Sequence, residues 1–138
     1  MKLVVGLGNP GKNYENTRHN CGFKSIDYYA SKYNLTYKNK FNSEYCEHLI
    51  DKEKILLVKP NTYMNNSGDA VVQFYKYFDL NISDILIIYD DMDFELGAFK
   101  IKNSGSSAGH NGIKDIINKL KTENIARVRI GISKNNHD

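Results

Sequence analysis

At 138 residues, with 41% hydrophobic and 25% charged residues, the chain has the size and composition of one globular domain, which excludes disordered and fibrous classes. A formal net charge of +3 permits an acidic partner without identifying one, and the longest apolar runs, Ile55-Leu56-Leu57-Val58 and Ile85-Leu86-Ile87-Ile88-Tyr89, fall far short of the ~20 residues that span a bilayer. The first residues lack the long apolar stretch and cleavage site of a secretory signal, and Cys21 and Cys46 form neither a CxxC pair nor a disulfide framework, so a reducing, cytoplasmic setting is expected.

Residues 2–7 are apolar and rich in β-formers and predict a first strand. Helical spacing of apolar residues comes next, at Ile26, Tyr29, Ala30 and Tyr33. Strands are expected at 44–50 and 54–59, then a second helix from Val71, Phe74, Tyr75 and Phe78. Strands at 84–89 and 97–102 precede a third helix carrying Ile113, Ile116, Ile117 and Leu120, and a last strand spans 126–132. This order predicts a single-domain α/β fold over residues 1–138: a mixed, mostly parallel central sheet with helices on both faces, α/β/α. The chain ends at Asp138 soon after its last strand and without a covering helix, so a C-terminally partial chain is expected. Open α/β sheets place ligands beyond the carboxyl ends of their strands, so chemistry is expected in the residues just after Leu7, Lys59, Tyr89 and Lys102.

Gly6-Leu7-Gly8-Asn9-Pro10-Gly11 has the letters of a GxGxxG dinucleotide fingerprint, but that motif opens a helix at once and needs an acidic residue at the end of a second strand about 20 residues on. Here Pro10 and a polar run through His19 intervene, and Asp27 falls inside the predicted helix, so no nucleotide cofactor is expected. A tight turn accounts for the glycines but not for Asn9. His19 stands just before the first helix; a lone histidine is commonly a surface or capping residue, yet the tip of the first strand is where reactive groups collect, and imidazole titrates near neutrality. Asp90, Asp91 and Asp93 could bind a hard cation, form a solvated acidic turn (the fate expected for Asp91), or supply one carboxylate that orients a histidine; Asp90, nearest the strand, is the choice for the last role.

Tyr63, Met64 and Asn65 suit a partly apolar cleft that grips a peptide or stacks on a base, while Asn66 and Ser67 read as helix N-caps. Asn111 could hold a water or a carbonyl, or simply cap the third helix. Lys100 and Lys102 alternate onto one strand face, as do Arg127 and Arg129, which makes either a phosphate patch or ordinary solubilising charge. Residues 103–109, rich in glycine and serine, are expected to be a mobile loop.

Together, GLGNPGxxYxxTRHNxG at 6–22, KPxTYMNxSG at 59–68, DDMD followed by LG at 90–97, GHNGIKDII at 109–117 and RVRIGI at 127–132 resemble bacterial peptidyl-tRNA hydrolase, in order and across the whole chain. The resemblance implies a monomeric enzyme that cleaves the ester between a peptide and the terminal ribose of tRNA, with peptidyl-tRNA as partner and neither metal nor cofactor. It implies that His19 is the general base, that Asp90 orients it, and that Asn9, Asn65 and Asn111 surround the scissile ester. By the same resemblance Asn9 helps separate peptidyl-tRNA from unblocked aminoacyl-tRNA, Tyr14 and Tyr63 contact tRNA or its peptide, and Lys100, Lys102 and Arg129 bind tRNA phosphates. Two departures stand out within the chain: Ser104 to Ala108 replaces a loop that is glycine-rich in many members, and Tyr63 stands where phenylalanine is frequent. The family's chains also continue well past the position of Asp138.

Overall fold

Alternation of side chains decides how the central strands are covered. Leu3 and Val5 on one face of the first strand and Val4 on the other are all apolar, so this strand needs a packed layer on both sides. The computed structural model describes residues 1–11, 20–91 and 98–131. Its elements are β1 (Lys2–Gly6), α1 (Cys21–Lys32), β2 (Lys38–Lys40), β3 (Ser43–Ile50), β4 (Glu53–Pro60), α2 (Ser67–Tyr77), β5 (Ile85–Asp91), β6 (Phe99–Lys102), α3 (Asn111–Leu120) and β7 (Ala126–Gly131).

The seven strands form one sheet in the order β2-β3-β4-β1-β5-β7-β6. β4, β1, β5 and β7 are mutually parallel, while β3 and β6 run against their neighbours at the two flanks. Because β2 is antiparallel to β3, five of the seven strands point the same way, which gives the expected mixed, mostly parallel sheet. On one face Leu3, Val5, Val58, Ile85 and Ile87 pack with Val71 and Phe74 of α2 and Ile113 and Ile116 of α3. On the other, Val4, Cys46, Leu57 and Ile88 pack with Ile26 and Ala30 of α1. Each such fully buried aliphatic or aromatic side chain contributes roughly 1.5–3 kcal/mol.

Three details depart from the sequence-based expectation. β2, with the sequence Lys-Asn-Lys, has no apolar alternation and exists because it pairs with β3 at a sheet edge. β5 runs on to Asp91, since Asp90 and Asp91 continue the ladder opposite Ile130 and Gly131 of β7; both acids therefore belong to the strand instead of coming after it. The 103–109 loop, which the sequence leaves without partners, has two bonds to the turn before β7 and to its head: Gly105 N–H donates to the Glu123 carbonyl at 3.2 Å, and Arg127 donates to the Ser106 carbonyl at 3.0 Å. Among the described residues no helix is long and apolar enough to cross a membrane.

Candidate functional site

The parallel strands deliver β1, β4, β5 and β7 with their carboxyl ends on one edge of the sheet, and the site is built there. β1 leads directly into Leu7, whose N–H donates to the Ile88 carbonyl at 2.9 Å. Gly6 and Gly22 serve close packing here. A Cβ on Gly6 would lie 2.2 Å from the Gly22 carbonyl oxygen, and one on Gly22 would meet Leu7 N at 2.4 Å, so α1 can approach the tip of β1 only because both lack side chains. Asn20, 3% exposed, occupies the N-cap position of α1 but does not cap it. Its Oδ1 accepts from Asn9 N–H and its Nδ2 donates to the Asn9 carbonyl, both at 2.9 Å, which pins the Asn9 backbone.

Asn9 in turn accepts at Oδ1 from Met64 N–H, at 2.8 Å. A backbone N–H can only donate, so this bond fixes the amide's orientation, and Asn9 offers the cleft its Nδ2 donor. The neighbouring Tyr63 has φ 62° and ψ 158°, a conformation that costs a non-glycine residue roughly 1–3 kcal/mol. The strained turn is held from several sides: Asn66 N–H donates to the Tyr63 carbonyl at 3.1 Å, Ser67 Oγ to the Met64 carbonyl at 2.9 Å, and Asn9 receives the Met64 N–H. The half-exposed Tyr63 ring is thereby set at the mouth of the cleft. Asn66 sits at the N-cap of α2 without a side-chain capping bond; Asp115 of α3 caps instead, accepting from Gly68 N–H at 2.7 Å.

Across the cleft, Asp90 is buried and its Oδ1 lies 3.0 Å from His110 Nε2. His110 is the N-cap of α3, accepting from Ile113 N–H at Nδ1 over 3.3 Å. Since Nδ1 accepts, the ring proton resides on Nε2 and is donated to Asp90. Asn111 is thus the first helical residue and not the cap, so its amide is not needed for capping and lines the cleft. Asp91 is not a solvated acid: its side chain is nearly buried and its Oδ2 accepts from Arg129 Nη1 at 2.9 Å. Cys21, at the start of α1, has its thiol pKa pushed up to about 12, chiefly by burial and then by the negative charge of Asp90, so it is not a ready nucleophile.

These groups enclose a cleft of about 630 Å³. Of the residues expected at the site, Asn9, Tyr63, Met64, Asn65, Asp90, Asn111 and Arg129 line it together. Lys100 and Lys102 are exposed on β6 and paired in register with Arg129 and Arg127, so all four side chains share a sheet face. Arg127 differs from the other three: it is buried, and its guanidinium bonds to main-chain carbonyls. His19 and Tyr14 lie outside the described residues, as does Asp93. Among the described residues no group of three His, Cys, Asp or Glu side chains is placed to hold a metal ion. Sequence reasoning passed over His110, Tyr89 and Asn20. A histidine directly before a helix start was the available signal for His110, because Nδ1 can cap as an Asn side chain does.

Comparison with known proteins agrees with this fold. The family model described as peptidyl-tRNA hydrolase matches residues 3–138. A peptidyl-tRNA hydrolase of Mycoplasma mycoides subsp. mycoides is 52% identical over 134 residues, covering 96% of this chain and 72% of that protein. One from Shouchella clausii is 51% identical, covering 99% and 75%. A crystal structure of peptidyl-tRNA hydrolase from Acinetobacter baumannii superposes with a TM-score of 0.91 at 41% identity, covering 96% of this chain and 68% of that one. With the match running along almost all of its length, in sequence and in fold, the chain belongs to the peptidyl-tRNA hydrolase family.

Proposed function

We propose that this chain, acting as one domain over residues 1–138, hydrolyses the ester that joins a peptide to the 3′-terminal ribose of tRNA. The observation that carries the reading is the convergence of Asn9, Asn65, Asp90 and Asn111, from four separate stretches of a chain of this family, on one cleft at the strand ends. In the reaction, His19 takes a proton from water and the resulting hydroxide adds to the ester carbonyl. An asparagine amide donates to the oxyanion, a role for which the Nδ2 end of Asn9 is suitably turned. The carbon–oxygen bond to ribose then breaks, the proton on His19 passes to the leaving ribose oxygen to free the tRNA terminus, and the new peptide carboxylic acid loses its remaining proton to solvent.

The acidic environment of Asp90 favours the imidazolium formed at the base, and the high pKa of Cys21 supports direct attack by water over an acyl-enzyme. Tyr14, Tyr63 and Met64 contact the peptide or the terminal bases; Lys100, Lys102 and Arg129 receive tRNA phosphates. The protein works as a monomer in the cytoplasm. The deciding experiment offers the chain an N-acetylaminoacyl-tRNA and the matching unblocked aminoacyl-tRNA. Release of the acylated amino acid from the first with sparing of the second is the expected result. Binding of both without cleavage of either would make the chain an RNA-binding module and sink the enzymatic reading.

A further inference from the structure

Alternation along β7 makes Arg127 and Arg129 equivalent as sequence, yet the fold separates them. Arg129 reaches the cleft and meets Asp91. Arg127 is 1% exposed, and its guanidinium donates in three directions: Nε to the Ile125 carbonyl at 3.1 Å, Nη1 to the Ser106 carbonyl at 3.0 Å and Nη2 to the Glu123 carbonyl at 2.9 Å. A permanently charged group is tolerated in a core only where fixed acceptors replace its water. A planar fork meets three acceptors at once in a way that the point charge of lysine does not.

The three carbonyls come from two segments. Ser106 belongs to the loop after β6, whereas Glu123 and Ile125 form the turn between α3 and β7; Gly105 N–H joins the two again at Glu123. That loop runs into His110, whose N–H donates to the Ser107 carbonyl at 3.0 Å and whose Nε2 faces Asp90. A second route passes through Tyr89, whose phenol is raised in pKa by burial and held back by Arg127, and whose ring meets the His110 ring edge-on at 4.7 Å between centroids. Both routes from the guanidinium end at the same imidazole.

We propose that Arg127 is a positioning residue of the cleft and not a tRNA phosphate ligand: by tying the 105–110 loop to the head of β7, it sets where His110 stands against Asp90. Its effect on turnover rests on the proposed esterase reading; its effect on the loop does not.

The test uses the whole chain and two variants, Arg127→Lys, which keeps the charge, and Arg127→Met, which keeps much of the stem. Amide exchange at Gly105 and His110 should quicken about 5–10-fold, the worth of one lost hydrogen bond, while Leu57 and Ile87 exchange as in the parent. In both variants kcat on N-acetylaminoacyl-tRNA should fall at least about tenfold, with the salt dependence of tRNA binding unchanged. In the unsubstituted protein, the Arg127 Nε–H resonance should not move when uncleaved tRNA is added, a measurement that stands even if neither variant folds. Parental exchange at Gly105 and His110, parental kcat, a salt slope reduced by about one, or a tRNA-induced shift of the Arg127 Nε–H would each overturn the proposal. If the parent itself cleaves no ester, the esterase reading fails, and the exchange and resonance arms alone decide whether Arg127 holds the loop.

Discussion

Both ring nitrogens of His110 are engaged, one capping α3 and one donating to Asp90, so His110 could act as a base only by giving up a bond. The proposed mechanism gives the proton-accepting role to His19, and on that reading His19→Ala should lower single-turnover cleavage by about 10²–10⁴-fold while tRNA affinity stays near the parent value. Near-parental cleavage by this variant would remove His19 from the mechanism. Asp90→Asn tests the carboxylate. An imidazolium stripped of a neighbouring negative charge loses its proton more readily, so the base's pKa falls and the acidic limb of the kcat/KM profile moves to lower pH, with a smaller loss of rate than His19→Ala. An unmoved limb counts against Asp90. Cys21 supplies a control on mechanism: with its pKa raised from 9.0 to about 12, it carries about a thousandfold less thiolate than a free thiol near neutral pH. Alkylation of Cys21 by iodoacetamide should therefore be far slower in the native chain than in denaturant, and Cys21→Ser should keep most of the activity. Loss of activity in that variant, with the fold intact, would point to a thiol intermediate.

Between elements, α1 and the tip of β1 meet through glycines. A methyl group on Gly22 would press on Leu7 N, Leu7 O and the Ile88 carbonyl at 2.4–2.5 Å, all of them backbone atoms that cannot swing aside. Gly22→Ala should destabilise the chain by about 3 kcal/mol and lower Tm by about 10 °C in a calorimetric scan; a change within about 2 °C would mean that α1 is free to slide. The three helices and six of the seven strands are legible from local pattern: the helices and five of the strands bury a face whose pattern is written in consecutive residues, and β6, though exposed along its length, shows the apolar–polar alternation of a strand. β2 escapes because its Lys-Asn-Lys sequence buries little and owes its form to its neighbour. Asn20 escapes for a related reason. It stands where an asparagine ordinarily caps a helix, and only the folded loop reveals that its amide is turned onto Asn9. Asn9, Asn65 and Asp90 follow strand ends, which mark the ligand edge of an open sheet before any contact is known, whereas Asn111 heads a helix and was set beside them by the family resemblance; all four line one cleft.

At the scale of the whole molecule, the sheet carries positive charge to the rim of the cleft. Opposite pairing in β6 and β7 sets Lys100 beside Arg129 and Lys102 beside Arg127, on the face that bears α2 and α3, since Arg127 and Arg129 stand in register with Ile87 and Tyr89 of that core. The sequence placed these four cations on one side of their strands but could not tell exposed from buried; Arg127 lies beneath the 103–109 loop, whereas the two lysines remain in solvent. A pair of solvated lysines beside an anionic substrate acts by releasing counterions, and its signature is the slope of binding against salt, not the chemical rate. Replacing both, as Lys100→Ala with Lys102→Ala, should weaken tRNA binding and reduce the magnitude of the log–log salt slope by about 1.5, with kcat at saturating substrate within about twofold of the parent. The slope can be measured by titrating fluorescent tRNA at several ionic strengths. A parental slope would mean that the phosphates pass elsewhere, while a large fall in kcat would mean that the two lysines reach the chemistry at the strand ends.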